Sequence, residues 1–96
     1  MLKIKNLIGA LCVCAPTGPV TLGISLPGMR NFVAEYVPGD NEIPVKIEEL
    51  GTDGNVIAWQ YAHCSVTSTG VLARDVVINS EGTFGSGVKR CFVFAP

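Results

Sequence analysis

Oily and polar positions alternate with a period of two along most of this chain, and Gly/Pro-rich steps cut the alternation into short runs. Val20, Leu22, Ile24 and Leu26 are separated by Thr21, Gly23 and Ser25, which predicts a strand with one apolar face. Ile43, Val45 and Ile47 alternate with Glu42, Pro44, Lys46 and Glu48 in the same way, another half-buried strand. Pro44 has no N–H for a ladder, so this strand is expected at a sheet edge or at a bulge. Asn55 to Val66 is a longer run, apolar on both faces in its first half. Val76 and Ile78 carry a further alternation, and Cys91 to Phe94 forms a short apolar last strand.

Turn residues fall between these runs: Pro16-Thr17-Gly18-Pro19, Pro27-Gly28, Pro38-Gly39-Asp40-Asn41, Asp53-Gly54, Ser68-Thr69-Gly70 and Ser80-Glu81-Gly82. Asp53-Gly54 between two apolar runs is a strong hairpin signal. Met29 to Val37 is the one stretch with helical character, but it is short and rich in Val, Phe and Tyr, so it reads as a strand. The pattern predicts one all-β domain over residues 1–96, a small β-sandwich or barrel of short antiparallel strands. Trp59, Ile43, Val45, Ile47, Leu22, Ile24, Phe92 and Phe94 are expected in or near its core.

Composition changes this picture in one respect. The 96 residues are 48% apolar but only 16% charged, against about 25% charged in an average soluble domain. A short chain with few charges leaves apolar surface outside, and such surface marks interfaces. The net charge of −1 and the scattered Lys3, Lys5, Lys46 and Lys89-Arg90 exclude a phosphate-binding stripe, so no nucleic acid is expected. Lys3 and Lys5 before the apolar run Leu7–Cys14 suggest a secretory leader. That run is only eight residues, without a small-x-small step after it, and reads better as a first β-strand. Nothing approaches the roughly 20 apolar residues of a membrane span, so no membrane partner is expected.

Candidate chemistry is thin. Cys12 and Cys14 on one strand point to the same face about 6.5–7 Å apart, at the limit of disulfide geometry, so they do not bond each other. Free buried thiols are one reading of all four cysteines, Cys12, Cys14, Cys64 and Cys91. As zinc ligands, Cys12-x-Cys14, His63-Cys64 and Cys91 lack finger spacing, and neighbours His63 and Cys64 face opposite ways on a strand. The same geometry separates His63 from Cys64 as base and nucleophile, the basis of a less favoured thiol or metal hydrolase reading. Glu48-Glu49 likewise face opposite sides and read as a solvated edge. Gly85-Ser86-Gly87 lacks the Gly-Lys-Ser/Thr ending of a phosphate loop and reads as a turn. No catalytic residue, metal or cofactor is expected.

The order of motifs carries more. Trp59, Gly70, Leu72-Ala73-Arg74, Gly87, Lys89 and Phe92-Val93 form the more specific half, preceded by Pro16–Leu22, Pro27-Gly28-Met29-Arg30-Asn31-Phe32 and Pro38-Gly39-Asp40-Asn41. In this order they resemble a small β module of tailed-bacteriophage virion proteins, often found within tail fibres. Gly9–Cys14 and Ala62–Cys64 depart from it by gaining apolar residues and three of the four cysteines. The resemblance implies a non-enzymatic structural protein located in the virion, foremost a capsid decoration or cement protein. The alternative is a tail-associated fitting, a fibre adaptor or collar component. Its implied partners are other virion proteins, major capsid or tail proteins, and further copies of itself, a trimer foremost. For a particle outside the cell, disulfides from Cys12, Cys14, Cys64 or Cys91 are the second reading of the thiols, between subunits rather than within one.

Overall fold

Alternation becomes a barrel because each strand turns its small and branched apolar residues the same way. The computed structural model of the chain describes residues 7–85 and 87–94. It contains β1 (Gly9–Cys14), β2 (Val20–Ser25), one helical turn α1 (Phe32–Glu35), β3 (Ile43–Leu50), β4 (Val56–Ser68), β5 (Val71–Glu81) and β6 (Lys89–Val93). All neighbours are antiparallel, and the sheet closes in the order β1-β2-β5-β4-β3-β6. Of the two expected all-β forms, the closed barrel is the one adopted. β1 falls inside the run Leu7–Cys14; the flanking Met1–Asn6, with Lys3 and Lys5, lies outside the described residues.

The interior holds Ala10, Cys12, Val20, Val45, Ile47, Cys64 and Leu72, all buried. Each large aliphatic among them contributes about 1.5–3 kcal/mol on burial. Asp53-Gly54 forms the hairpin joining β3 and β4. Gly54 takes φ +83°, which only glycine adopts freely, and the Asp53 carboxylate accepts from the Asn55 N–H at 3.0 Å.

The expected core needs correction in three places. Ile43, Val45 and Ile47 are buried, and Leu22 packs against the core. Ile24, however, is 74% exposed. Cys12 pairs with Leu22 but Ala10 with Ser25, so a bulge at Gly23-Ile24 breaks the alternation and turns Ile24 outward. Trp59 is only half-buried, on the outer face beside Glu48 and Glu81, because Ala58, Ala62 and Cys64 hold the inner positions of β4. Phe92 and Phe94 also lie on the outside of β6 and beyond it, since Cys91 and Val93 share the inner parity.

Met29–Val37 is not a strand. Asn31 caps a helical turn by accepting from the Val33 N–H at 3.2 Å, and Phe32 and Tyr36, four residues apart, bury one face together with ring centroids at 6.1 Å. Gly9 N–H donates to the Arg30 carbonyl before this turn, and Gly39 N–H to the Val66 carbonyl after it. The segment therefore spans the barrel end from the start of β1 to the end of β4. Pro44 is not on a sheet edge either, since β3 pairs with both β4 and β6. Its carbonyl accepts from the Phe94 N–H at 2.9 Å, so its nitrogen faces the chain just past Val93, where β6 has ended and no donor is needed.

Candidate functional site

Glu48 and Glu49 are both buried, which corrects the expectation of a solvated edge. On the outer face, Glu48 bridges Lys46 at 2.9 Å and Arg90 at 2.6 Å. Burial pushes the Glu48 carboxyl up, but hydrogen bonds from Lys46 and Arg90 outweigh it and the net shift is downward. Glu49 points inward at the other barrel end, opposite Lys89 in the β3–β6 register. Its two oxygens accept from the Gly85 and Gly87 N–H groups at 2.8 and 3.0 Å, and these bonds hold its pKa below the usual carboxylate range. Lys89 Nζ donates to the Gly85 and Gly87 carbonyls at 2.6 and 2.9 Å. Gly85 and Gly87 are thus each held by both Glu49 and Lys89, and Lys89 is a structural anchor.

Arg74 is a second anchor. β2 and β5 share only two residue pairs, Val20 with Leu72 and Thr21 with Val71. Just past them Arg74 reaches across to the β1–β2 loop, donating to the carbonyls of Ala15, Pro16 and Gly18 and to Gln60 Oε1, at 2.8–3.2 Å. The guanidinium joins two strands where their ladder has ended.

Beyond Arg74, β5 continues from Asp75 to Glu81 paired with β4 alone. Val76, Val77 and Ile78 are 53%, 45% and 58% exposed on this open half. Asp75 and Ile78 are unopposed by β4, a pair of bulges that bends the strand. Next to it lies a groove of about 390 Å³ between Pro44, Tyr61, His63, Ile78, Asn79 and Phe94. Tyr61 stacks edge-on to Trp59 and tilted against Phe94, both with centroids at 5.0 Å, and the Lys46 ammonium lies 5.3 Å from the Tyr61 ring centre. Val77 lies opposite Ala62, on the inner face of the sheet, whereas Ile78 and Asn79 join the aromatic wall in one outer surface. It offers contact area and few charges, which suits docking of another surface rather than chemistry.

The sequence-level candidates do not assemble into a catalytic site. His63 is exposed on the outer face while Cys64 is buried inside. All four cysteines are free thiols and all are buried. Cys12, Cys14 and Cys91 are buried inside the barrel and act on one another's ionisation. The Cys14 thiol pulls the Cys12 pKa down, but the Cys91 thiol and burial raise it more, to about 12. Burial raises Cys64 to about 12 as well. From these positions a bridge to a neighbouring subunit requires the barrel to open. Among the described residues, no group of three or more His, Cys, Asp or Glu side chains is placed to hold a metal ion. The open half of β5, the anchors Arg74 and Glu49, and the groove at Tyr61 were not singled out by the sequence pattern, although the exposed Val-Val-Ile triplet is visible in it. No family model, curated protein or solved structure matches this chain.

Proposed function

We propose that this chain is a non-enzymatic structural part of a tailed-bacteriophage virion, foremost a capsid decoration or cement protein that fastens neighbouring subunits. The observation that carries the assembly reading is the exposed Val76-Val77-Ile78 stretch on the open half of β5, whose Ile78 also lines the groove at Tyr61 and Phe94. Apolar area in this arrangement is stabilised by a covering partner. The virion reading rests on the motif order that resembles the phage module, which runs through Trp59, Leu72-Ala73-Arg74 and Gly87-x-Lys89. In the structure Arg74 and Lys89 hold loops and Leu72 fills the core, so these motif positions support a rigid building block. A buried Cys64 facing away from His63 gives the hydrolase reading no support.

Protein analysis of virions purified from cells that carry this gene tests the proposal. The chain is expected in the washed particles at a copy number comparable with a structural protein. Its presence in infected cells and absence from the particles would contradict the proposal. Copies matching the head lattice favour decoration, and a number matching the tail symmetry favours the fitting.

A further inference from the structure

Four features outside the anchors invite a role: the thiol cluster, the groove at Tyr61, the depression around Leu11, Val13 and Val88, and the open half of β5. The thiols are sealed inside the barrel and the two surface hollows carry no group that selects an occupant. The β5 edge differs, because a backbone edge selects another extended strand, and its side-chain order selects which strand.

We propose that a second copy of this chain docks on the open half of β5, its own β5 running antiparallel about a two-fold axis at Val77. This rests on the reading of the chain as an assembly module and names its partner. The other candidate edge, the lower half of β2, is already covered. Gly23 carbonyl accepts from Asn31 Nδ2 at 2.9 Å, and Leu22 N–H donates to the Gly70 carbonyl at 2.8 Å. On β5 the Ser80 N–H is taken by Asn79 Oδ1 at 2.9 Å, so the available stretch runs from Asp75 to Asn79.

Register decides the rest. With the axis at Val77, Val77 meets its own copy, Val76 meets Ile78, and Asp75 meets Asn79, whose amide nitrogen donates to a carboxylate. Moving the axis to Ile78 sets Val77 against Asn79 and Val76 against Ser80, whose N–H is already taken. Moving it between Val76 and Val77 sets Asp75 against Ile78. Placing it between Val77 and Ile78 sets Val76 against Asn79 and Asp75 against Ser80, leaving an apolar side chain opposite an amide. A two-fold contact must be self-complementary, and among these registers only the axis at Val77 pairs every apolar residue with another. The bulges at Asp75 and Ile78 keep the shared ladder short, so side-chain burial rather than a long run of hydrogen bonds holds the pair.

Sedimentation of the purified full chain, with Val77→Lys, Val77→Glu and an equimolar mixture of the two, tests the proposal. Val77 is half-exposed, so both variants are expected to keep the wild-type circular dichroism. Wild type is expected to reach twice the chain mass of 10.1 kDa as concentration rises. Each variant alone is expected to stay at the single-chain mass, because like charges meet at the axis, and the mixture is expected to recover the doubled mass. A wild-type monomer at all concentrations overturns the proposal, as do variants that still dimerise. A mixture that stays monomeric overturns the two-fold at Val77. A monomer found in purified virions refutes this inference and leaves the assembly reading standing, whereas absence from virions contradicts that reading itself.

Discussion

Replacing Arg74 with Met keeps the side-chain stem and removes the guanidinium that joins β5 to the β1–β2 loop. Four hydrogen bonds are lost, to Ala15, Pro16 and Gly18 carbonyls and to Gln60 Oε1. The three loop carbonyls lie at exposed positions and regain water, so each bond counts at about 0.5 kcal/mol, while the half-buried Gln60 loses a charged donor at about 1.5 kcal/mol. The sum is a loss of about 3 kcal/mol. A chain of this length has about 5–14 kcal/mol of stability, so the variant remains folded. Urea unfolding followed by fluorescence of Trp59, the single tryptophan, measures it. With a slope of about 1–1.5 kcal/mol per molar urea, the midpoint falls by about 2–3 M. Arg74→Lys restores the charge but cannot reach three carbonyls at once, and recovers less than half. A loss under about 0.5 kcal/mol in Arg74→Met, or full recovery in Arg74→Lys, refutes the claim that this fork closes the β2–β5 seam.

Leu72→Ala empties a fully buried position and is expected to cost about 2–5 kcal/mol, whereas Ile24→Ala at its exposed bulge changes stability by less than about 0.5 kcal/mol; equal losses in urea melts contradict the register at Gly23-Ile24. The native barrel shields its thiols, so a water-soluble maleimide labels none of the four cysteines in the folded chain and all four in denaturant, and non-reducing gels show a single-chain band. A disulfide ladder that collapses with reductant contradicts this. The carboxyls of Glu48 and Glu49 have folded pKa values below the ordinary 4.5. A depressed pKa gives stability that is present above the unfolded value and is lost as pH falls through the folded value. Thermal melts are therefore expected to drop as pH goes below about 4.5, and Glu49→Gln is expected to flatten that drop; an unchanged acid limb in the variant contradicts the hold of Glu49 on Gly85 and Gly87.

The strands were legible in the sequence because their apolar parity is local. Ile43-Val45-Ile47 and Val20-Leu22 point inward as the alternation predicts, and Asp53-Gly54 makes the hairpin its turn chemistry requires. Parity failed where a bulge intervened, since one extra residue at Gly23-Ile24 reverses the face of everything beyond it. It also failed at Trp59, where size suggested the core but the inner positions of a narrow barrel take Ala58 and Ala62 instead. The helical turn is not legible in the sequence because two aromatic residues four apart, Phe32 and Tyr36, outweigh the β preference of Val33 and Val37 only once they have a barrel end to fill. Arg74 and Glu49 acquire their roles from carbonyls and N–H groups far along the chain, brought close only by closure of the barrel. The open half of β5 is likewise a consequence of where β2 stops pairing.

As proposed, this barrel serves by being covered within a virion at the open half of β5 and at the groove beside it. An electron cryomicroscopy map of the intact particle that carries the chain tests it most directly. The account predicts density for the barrel with Val76, Val77, Ile78 and the Tyr61–Phe94 groove against another protein chain, whether a second copy or a head or tail subunit. A particle in which the barrel is present but this surface faces solvent, or in which no such barrel is found, would contradict it.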